Sequence, residues 1–367
     1  MLSFACLPPV PRPRSGFMGK KNVLVAPSVS AEVWRELYAK ARKFQQLAPW
    51  EWMEDVHILG INNRHGVRLI SVLGAMEEVF GFASYRGSVG ANYLLKLISG
   101  EVSPQGPQAG FGQRALLVDF VPRGQLRKED KAILQQMGFK PATGSPQRFP
   151  EFYSHEPGYV PWFIDENEAR QLLDDLAKLM PFAKLLEPDP DGYDAEQKGE
   201  FAFFPETFTE PLTWEQIDWR VVTADPGAAE PPIDLAQFDV ASLLRLPQKR
   251  GSVWELSAEY SNVPIGEPPR PYWPKLGLLV DGGSGFVLDF KLGGPDKTTA
   301  QTAAECLVDG LRGVQGRPET VALSSVDLLQ TVSPLLKCLN VGVLPAERLP
   351  MTEEARASFM NFNRKGW

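Results

Sequence analysis

Cysteine, histidine and long apolar runs are what this sequence has least of. Its 367 residues hold three cysteines, Cys6, Cys306 and Cys338, far apart and odd in number. A disulfide framework or a thiolate zinc site needs closely spaced or paired cysteines, so neither is expected, and the scatter suits a reducing cytoplasm. His57, His65 and His155 are the only histidines, which argues against a histidine-rich metal centre. No stretch reaches the roughly 18 consecutive apolar residues of a membrane span, so no membrane role is expected. No P-loop, Gly-x-Ser-x-Gly elbow, His-Glu-x-x-His helix or complete dinucleotide fingerprint occurs. Accordingly no cofactor and no metal are expected.

What the chain does have is material for cores: 43% hydrophobic and 23% charged residues. At roughly 100–200 residues per domain, the length predicts two or three domains. Charge is unevenly placed. Residues 1–22 carry four basic and no acidic side chains, residues 23–245 carry 21 basic and 32 acidic, and residues 246–367 carry 13 of each. Phosphate binding needs clustered Lys and Arg, so no segment announces nucleic acid by charge alone, and the acidic middle repels a polyanion. Residues 1–22, with Pro8, Pro9, Pro11 and Pro13 and no apolar segment of export length, read as a disordered leader. Met18 is then an alternative native start.

Periodicity gives an order of elements. Val23–Val25 reads as an opening strand. Ser30 caps a helix in which Trp34, Leu37, Tyr38, Ala41 and Phe44 recur at helical spacing, and Pro49 stops it. Val56–Ile61, Val67–Leu73, Val79–Tyr85 and Ala115–Val121 read as strands, with helices over Gly90–Ile98 and residues 127–137. An aromatic and proline-rich stretch then leads to a helix opened by an Asp165/Glu168 capping box, which Pro181 should kink or end. Residues 187–200 read as an acidic loop that divides the first domain, Pro226–Pro232 as a linker, and Gln248–Gly251 as a boundary. The domains are thus a leader over 1–22, an α/β or α+β domain over 23–245, and a second domain over 246–367. That last third reads β-β-β-α-β-α-β-α, an α/β sandwich on a mixed sheet.

Several phrases of the last third carry a resemblance. Trp254-Glu255-Leu256-Ser257 is similar to the Trp-x-x-Asp opening of integrases. Leu278-Leu279-Val280-Asp281 and the turn after it are similar to the hairpin that follows, and Gly316-Arg317-Pro318-Glu319 to the strand leading to the second acid. The segment resembles the ribonuclease-H-like fold of integrase and transposase cores, which implies two-metal phosphoryl transfer by several carboxylates. At the acid positions stand Ser257, then Ser324 or Ser325, and only Glu353 or Glu354 supplies a carboxylate. The resemblance therefore implies a catalytically degenerate module with no catalytic residue. Leu47–Met53, Ser71–Ala75 and Pro150–Ile164 in turn resemble the first part of a bacterial family without an assigned activity.

Other motifs have plainer readings. Arg86-Gly87-Ser88-Val89-Gly90-Ala91 echoes a pyrophosphate loop but has Val89 where glycine is needed, so an ordinary glycine turn is expected. Asp189, Asp191 and Asp194 echo a calcium loop without its glutamate, which leaves a solvated acidic loop. Trp50, Trp52, Tyr153, His155 and Trp162 are candidates for a ligand pocket, although large aromatics beside prolines more often anchor layers. Lys249, Arg250, Arg270, Lys275 and Arg317 are candidates for nucleic-acid contact. The expected function is binding, through an unknown protein partner or self-association. Nucleic-acid binding without cleavage is the alternative, and an enzyme built on a His155 loop the third reading.

Overall fold

In the computed structural model, residues 29–365 are described except 55, 64–65, 75–78, 104–105, 107–108, 139–147, 194–198, 226–232 and 267–269. The leader, Met18, the Val23–Val25 strand, His65, Asp194 and the Pro226–Pro232 linker lie outside the described residues. The chain divides into two compact units, Met1–Ala228 and Ala229–Trp367.

The first unit is built on a seven-stranded sheet. Its strands are β1 (Leu59–Asn63), β2 (Gly66–Leu73), β3 (Gly81–Arg86), β4 (Ala115–Pro122), β5 (Arg148–His155), β6 (Phe201–Phe203) and β7 (Asp218–Arg220). They lie in the order β5-β4-β3-β2-β1-β6-β7, antiparallel except where β1 meets β6. Helices α1 (Ala31–Leu47) and α4 (Glu166–Leu186) share one apolar core with one sheet face, and α2 (Gly87–Ile98) packs with the other. A shorter helix, α3 (Lys128–Gln136), places Leu134 in the first of these cores.

The caps read from sequence are in place. The Ser30 hydroxyl accepts from the Val33 N–H, and Asp165 and Glu168 form a reciprocal capping box at the start of α4. Pro181 does not end α4, which runs on to Leu186. The lost backbone bond is offset because Phe182, Ala183 and Leu186 in that last turn are buried. The His155 segment is no loop: it is the end of β5. Pro150 sits inside that strand, which a sheet edge tolerates because the missing N–H interrupts no ladder. His57 lies just before β1 rather than in a strand.

The second unit opens with a short helix, α5 (Val240–Leu244), whose Leu243 belongs to this unit's core. Five strands follow: β8 (Gln248–Tyr260), β9 (Lys275–Asp281), β10 (Val287–Gly293), β11 (Arg317–Leu323) and β12 (Gly342–Pro345). Their order is β10-β9-β8-β11-β12; β10, β9 and β8 are antiparallel, while β11 runs parallel to β8 and β12. Helices α6 (Thr299–Val314), α7 (Val326–Cys338) and α8 (Pro350–Lys365) alternate with the last strands. Gln248–Gly251 is not a boundary but the start of β8, which bends at Gly251 with φ +72°. The Thr298 hydroxyl caps α6 at the Gln301 N–H, whereas the Gln301 side chain turns away to Gln237 and Glu305.

Candidate functional site

The glycine phrase at β3–α2 has a packing role. Gly87 opens α2 at φ +62°, and a Cβ on Gly90 would stand 2.5 Å from the Arg114 carbonyl and 2.8 Å from the Tyr85 backbone. Gly90 therefore lets the helix press on the sheet, and the Arg86 guanidinium is taken by Glu168 at 2.8 Å and Glu156 at 2.7 Å. Gly90→Ala is expected to cost about 1–3 kcal/mol in urea unfolding, since the groups in its way are backbone.

The aromatic candidates separate into two places. Trp50 packs among Phe44, Phe80 and Phe120, and the Trp52 indole donates to the Ala183 carbonyl at 3.1 Å, so both fasten the α1 side of the core. Tyr153, His155 and Trp162 lie together at the β5 edge, where Ser154 and Trp162 exchange backbone bonds of 2.8 and 2.9 Å. Tyr153 and His155 are buried, which closes them to a diffusing substrate.

Around Tyr153 the structure builds a network that sequence reasoning missed. Glu151, fully buried, accepts from the Tyr153 hydroxyl at 2.6 Å and from the Arg127 backbone N–H at 2.7 Å. Arg127 pairs with Asp130, donates to the Phe152 carbonyl at 3.1 Å, and lies 4.3 Å from the ring centres of both Tyr153 and Phe163. Burial pushes the Asp130 carboxyl up from its ordinary value, against the pull of Arg127. Burial likewise raises the Tyr153 hydroxyl, so Tyr153 stays protonated. The network covers the open side of β5 and holds its edge.

A second buried pair lies under α4. Arg68 of β2 donates to Asp175 at 2.8 Å and to Asp174 at 2.5 Å. Asp175 is fully buried, and desolvation pushes its carboxyl up to about 6. The signal was present in sequence: Asp175 falls on the stripe of Leu172, Leu176 and Leu179, where a charge demands a partner. His57 is structural, its Nδ1 accepting from the Glu54 N–H at 2.8 Å and its pKa lowered by burial.

In the second unit the acid positions are occupied structurally. Ser257, buried on β8, accepts from Arg356 at 2.9 Å, and Arg356 also pairs with Glu259. Ser325 caps α7 at the Leu328 N–H. Glu354 is exposed, and Glu353 is held by Arg348. Glu255, two residues before Ser257, is buried and accepts from the Thr352 N–H at 2.8 Å and its hydroxyl at 3.0 Å, fastening the start of α8 to the central strand. Asp281 is a turn residue: Ser284 and the Gly283 and Ser284 N–H groups hold its carboxyl below the usual range. Asp289 is half-buried, and desolvation raises its pKa. No group of three or more His, Cys, Asp or Glu side chains suited to a metal occurs among the described residues.

The five basic candidates do not form one patch. Lys249 and Arg250 are exposed at the start of β8, and Arg270 is half-buried. Lys275 is buried, 4.9 Å from the Tyr260 ring centre, and the Arg317 guanidinium donates inward to the Leu246 and Leu339 carbonyls. Both are spent inside the fold.

Two family models match the chain. Residues 34–203 match a domain of unknown function (DUF7309), from within α1 to the end of β6. Residues 239–360 match a second domain of unknown function (DUF6930), from just before α5 into α8. No curated protein and no solved structure matches the chain. No described helix is long and apolar enough to cross a membrane.

Proposed function

We propose that this is a non-catalytic interaction protein of the bacterial cytoplasm, whose second unit is a ribonuclease-H-like module without its catalytic acids. The strand order β10-β9-β8-β11-β12, antiparallel then parallel, supports the fold part of this reading. One observation carries the rest: around the acid positions three carboxylates already have partners, and Glu354 alone is left, exposed to solvent. Glu255 is bound to Thr352, Glu259 to Arg356 and Glu353 to Arg348, while serines stand at positions 257 and 325. A two-metal site needs carboxylates free to hold ions about 3.5–4 Å apart, and the geometry spends them on seating α8.

Fluorescence anisotropy with single- and double-stranded oligonucleotides, across a salt series with and without manganese, tests the reading. A flat response is expected. Manganese-dependent cleavage would overturn it. Exposure of Lys249 and Arg250 favours a second reading, nucleic-acid binding without cleavage. It requires affinity that falls steeply with salt and is lost on reversing both charges.

A further inference from the structure

Sheet edges invite pairing with another chain, and three of the four edges here are blunted. The β5 edge is covered by Trp162 and Arg127. β7 has three residues, and β12 has four and ends in Pro345. β10 is the exception: seven residues, no proline, and no neighbour on its outer side among the described residues. Beside it the chain presents Phe286 at 69%, Phe290 at 54% and Leu292 at 45% exposure.

Lysine on an edge strand normally deters pairing. Here the Lys291 ammonium is drawn aside to Asp309 of α6 at 2.6 Å. Asp289 lies on the same face of β10, and one of its carboxylate oxygens, Oδ2, is buried with no hydrogen-bond partner among the described residues. The segment Leu288-Asp289-Phe290-Lys291-Leu292 reads alike in both directions, with acid and base exchanged about Phe290. A two-fold contact has to be self-complementary, and this segment is.

We propose that β10 is the seam of a homodimer, in which the β10 strands of two copies pair antiparallel about a two-fold axis at Phe290. The pairing sets Phe290 opposite Phe290 of the second copy, and Asp289 of each copy opposite Lys291 of the other. Opposite charges facing each other across antiparallel strands are stabilising, and like charges there destabilise. To meet Asp289 of the other copy, the Lys291 ammonium swings across the seam from Asp309 of its own chain. On the other face, Phe290 reaches Leu292 of the second copy on the diagonal, while its own ring stands 6.1 Å from Phe359 of α8. The register irregularity between Val287 and Asp289 confines regular pairing to the central residues, so the dimer is weak and concentration-dependent.

This inference rests on the interaction reading, and one experiment separates the two. Sedimentation equilibrium of the full chain over a concentration series should show monomer going to dimer. Phe290→Lys should raise the dissociation constant about tenfold or more. D289K and K291D should each be monomeric, since each faces like charge with like. Mixed, they should form a one-to-one heterodimer, because every Lys then meets an Asp. Far-UV circular dichroism confirms that each variant is folded, the more so for K291D, which loses Asp309. A wild-type chain that stays monomeric at every concentration overturns the dimer, as does a dimer indifferent to F290K and to charge reversal. A monomer without nuclease activity removes the dimer but leaves the interaction reading. A nuclease that dimerises does the reverse.

Discussion

Arg68→Ala is expected to destabilise the first unit by about 3–5 kcal/mol, because it leaves a buried carboxylate with no cation. Asp175 has no exposure to solvent, and its Oδ1 accepts from the Arg68 Nε. Asp174 is less affected, being half-exposed and also paired with Lys178. Replacing Arg68 and Asp175 together by leucine should recover most of the loss, since apolar groups of similar size need no partner. Urea unfolding of the two single variants and the double variant measures the coupling.

The same pair predicts a pH dependence. The folded state holds the Asp175 proton up to about pH 6, whereas an unfolded chain releases it in the ordinary carboxylate range near 4. Between those values the folded protein binds more protons, so this group's contribution to stability falls as pH rises through the window. Asp175→Asn should flatten the decline, changing the difference between pH 4.5 and 7 by about 1–3 kcal/mol. An unchanged profile would mean that Arg68 keeps Asp175 ionised throughout. Asp174 titrates outside this window, because bonds from Lys178 and Arg68 outweigh its burial and hold it below the usual range.

Glu255→Ala is expected to cost about 2–4 kcal/mol. It removes two hydrogen bonds to a charged acceptor at the start of α8 and leaves the buried Thr352 hydroxyl and N–H without it. Glu255→Gln should cost about half as much, because an amide oxygen still accepts but brings no charge to the helix N-terminus. Thermal unfolding measures the stability, and limited proteolysis within residues 350–365 reports release of α8. Wild-type stability and protection in Glu255→Ala would show that α8 is held by its apolar contacts alone.

The helices were the most legible part of the fold, and their caps explain why. Ser30, Asp165, Thr298 and Ser325 all make local bonds within three residues, which a linear pattern can encode. β5 was obscured because Pro150 argues against a strand unless the strand is known to lie at an edge. Gln248–Gly251 looked like a boundary because a charged, glycine-containing stretch resembles a loop, yet β8 pairs with β11 at Gln248 and Lys249. Of the candidate site residues, Tyr153, His155 and Trp162 lie at the β5 edge, whereas Trp50 and Trp52 pack on the α1 side of the core. Glu151 and Arg127 have close partners in Tyr153 and Asp130, but the bonds that join them into one network span 24 and 25 residues, and Glu255 reaches Thr352 across 97, so the network and the Glu255 contact went unseen. Arg317 and Lys275 show the converse, since a formal charge does not say which way a side chain faces.

The apolar residues gathered on the second unit's core before β8 bear on where the gene could be divided. Ile233, Leu235, Phe238, Val240 and Leu246 all pack against that core, with Leu243 buried inside it. A fragment begun at residue 246 would expose the surfaces that Ile233, Leu235, Phe238, Val240 and Leu243 cover, and one begun at Ser252 would also remove Leu246 with the carbonyl that Arg317 holds. The seam a split or transplanted gene has to respect therefore falls ahead of Ile233, well upstream of the charged stretch that looks like a joint.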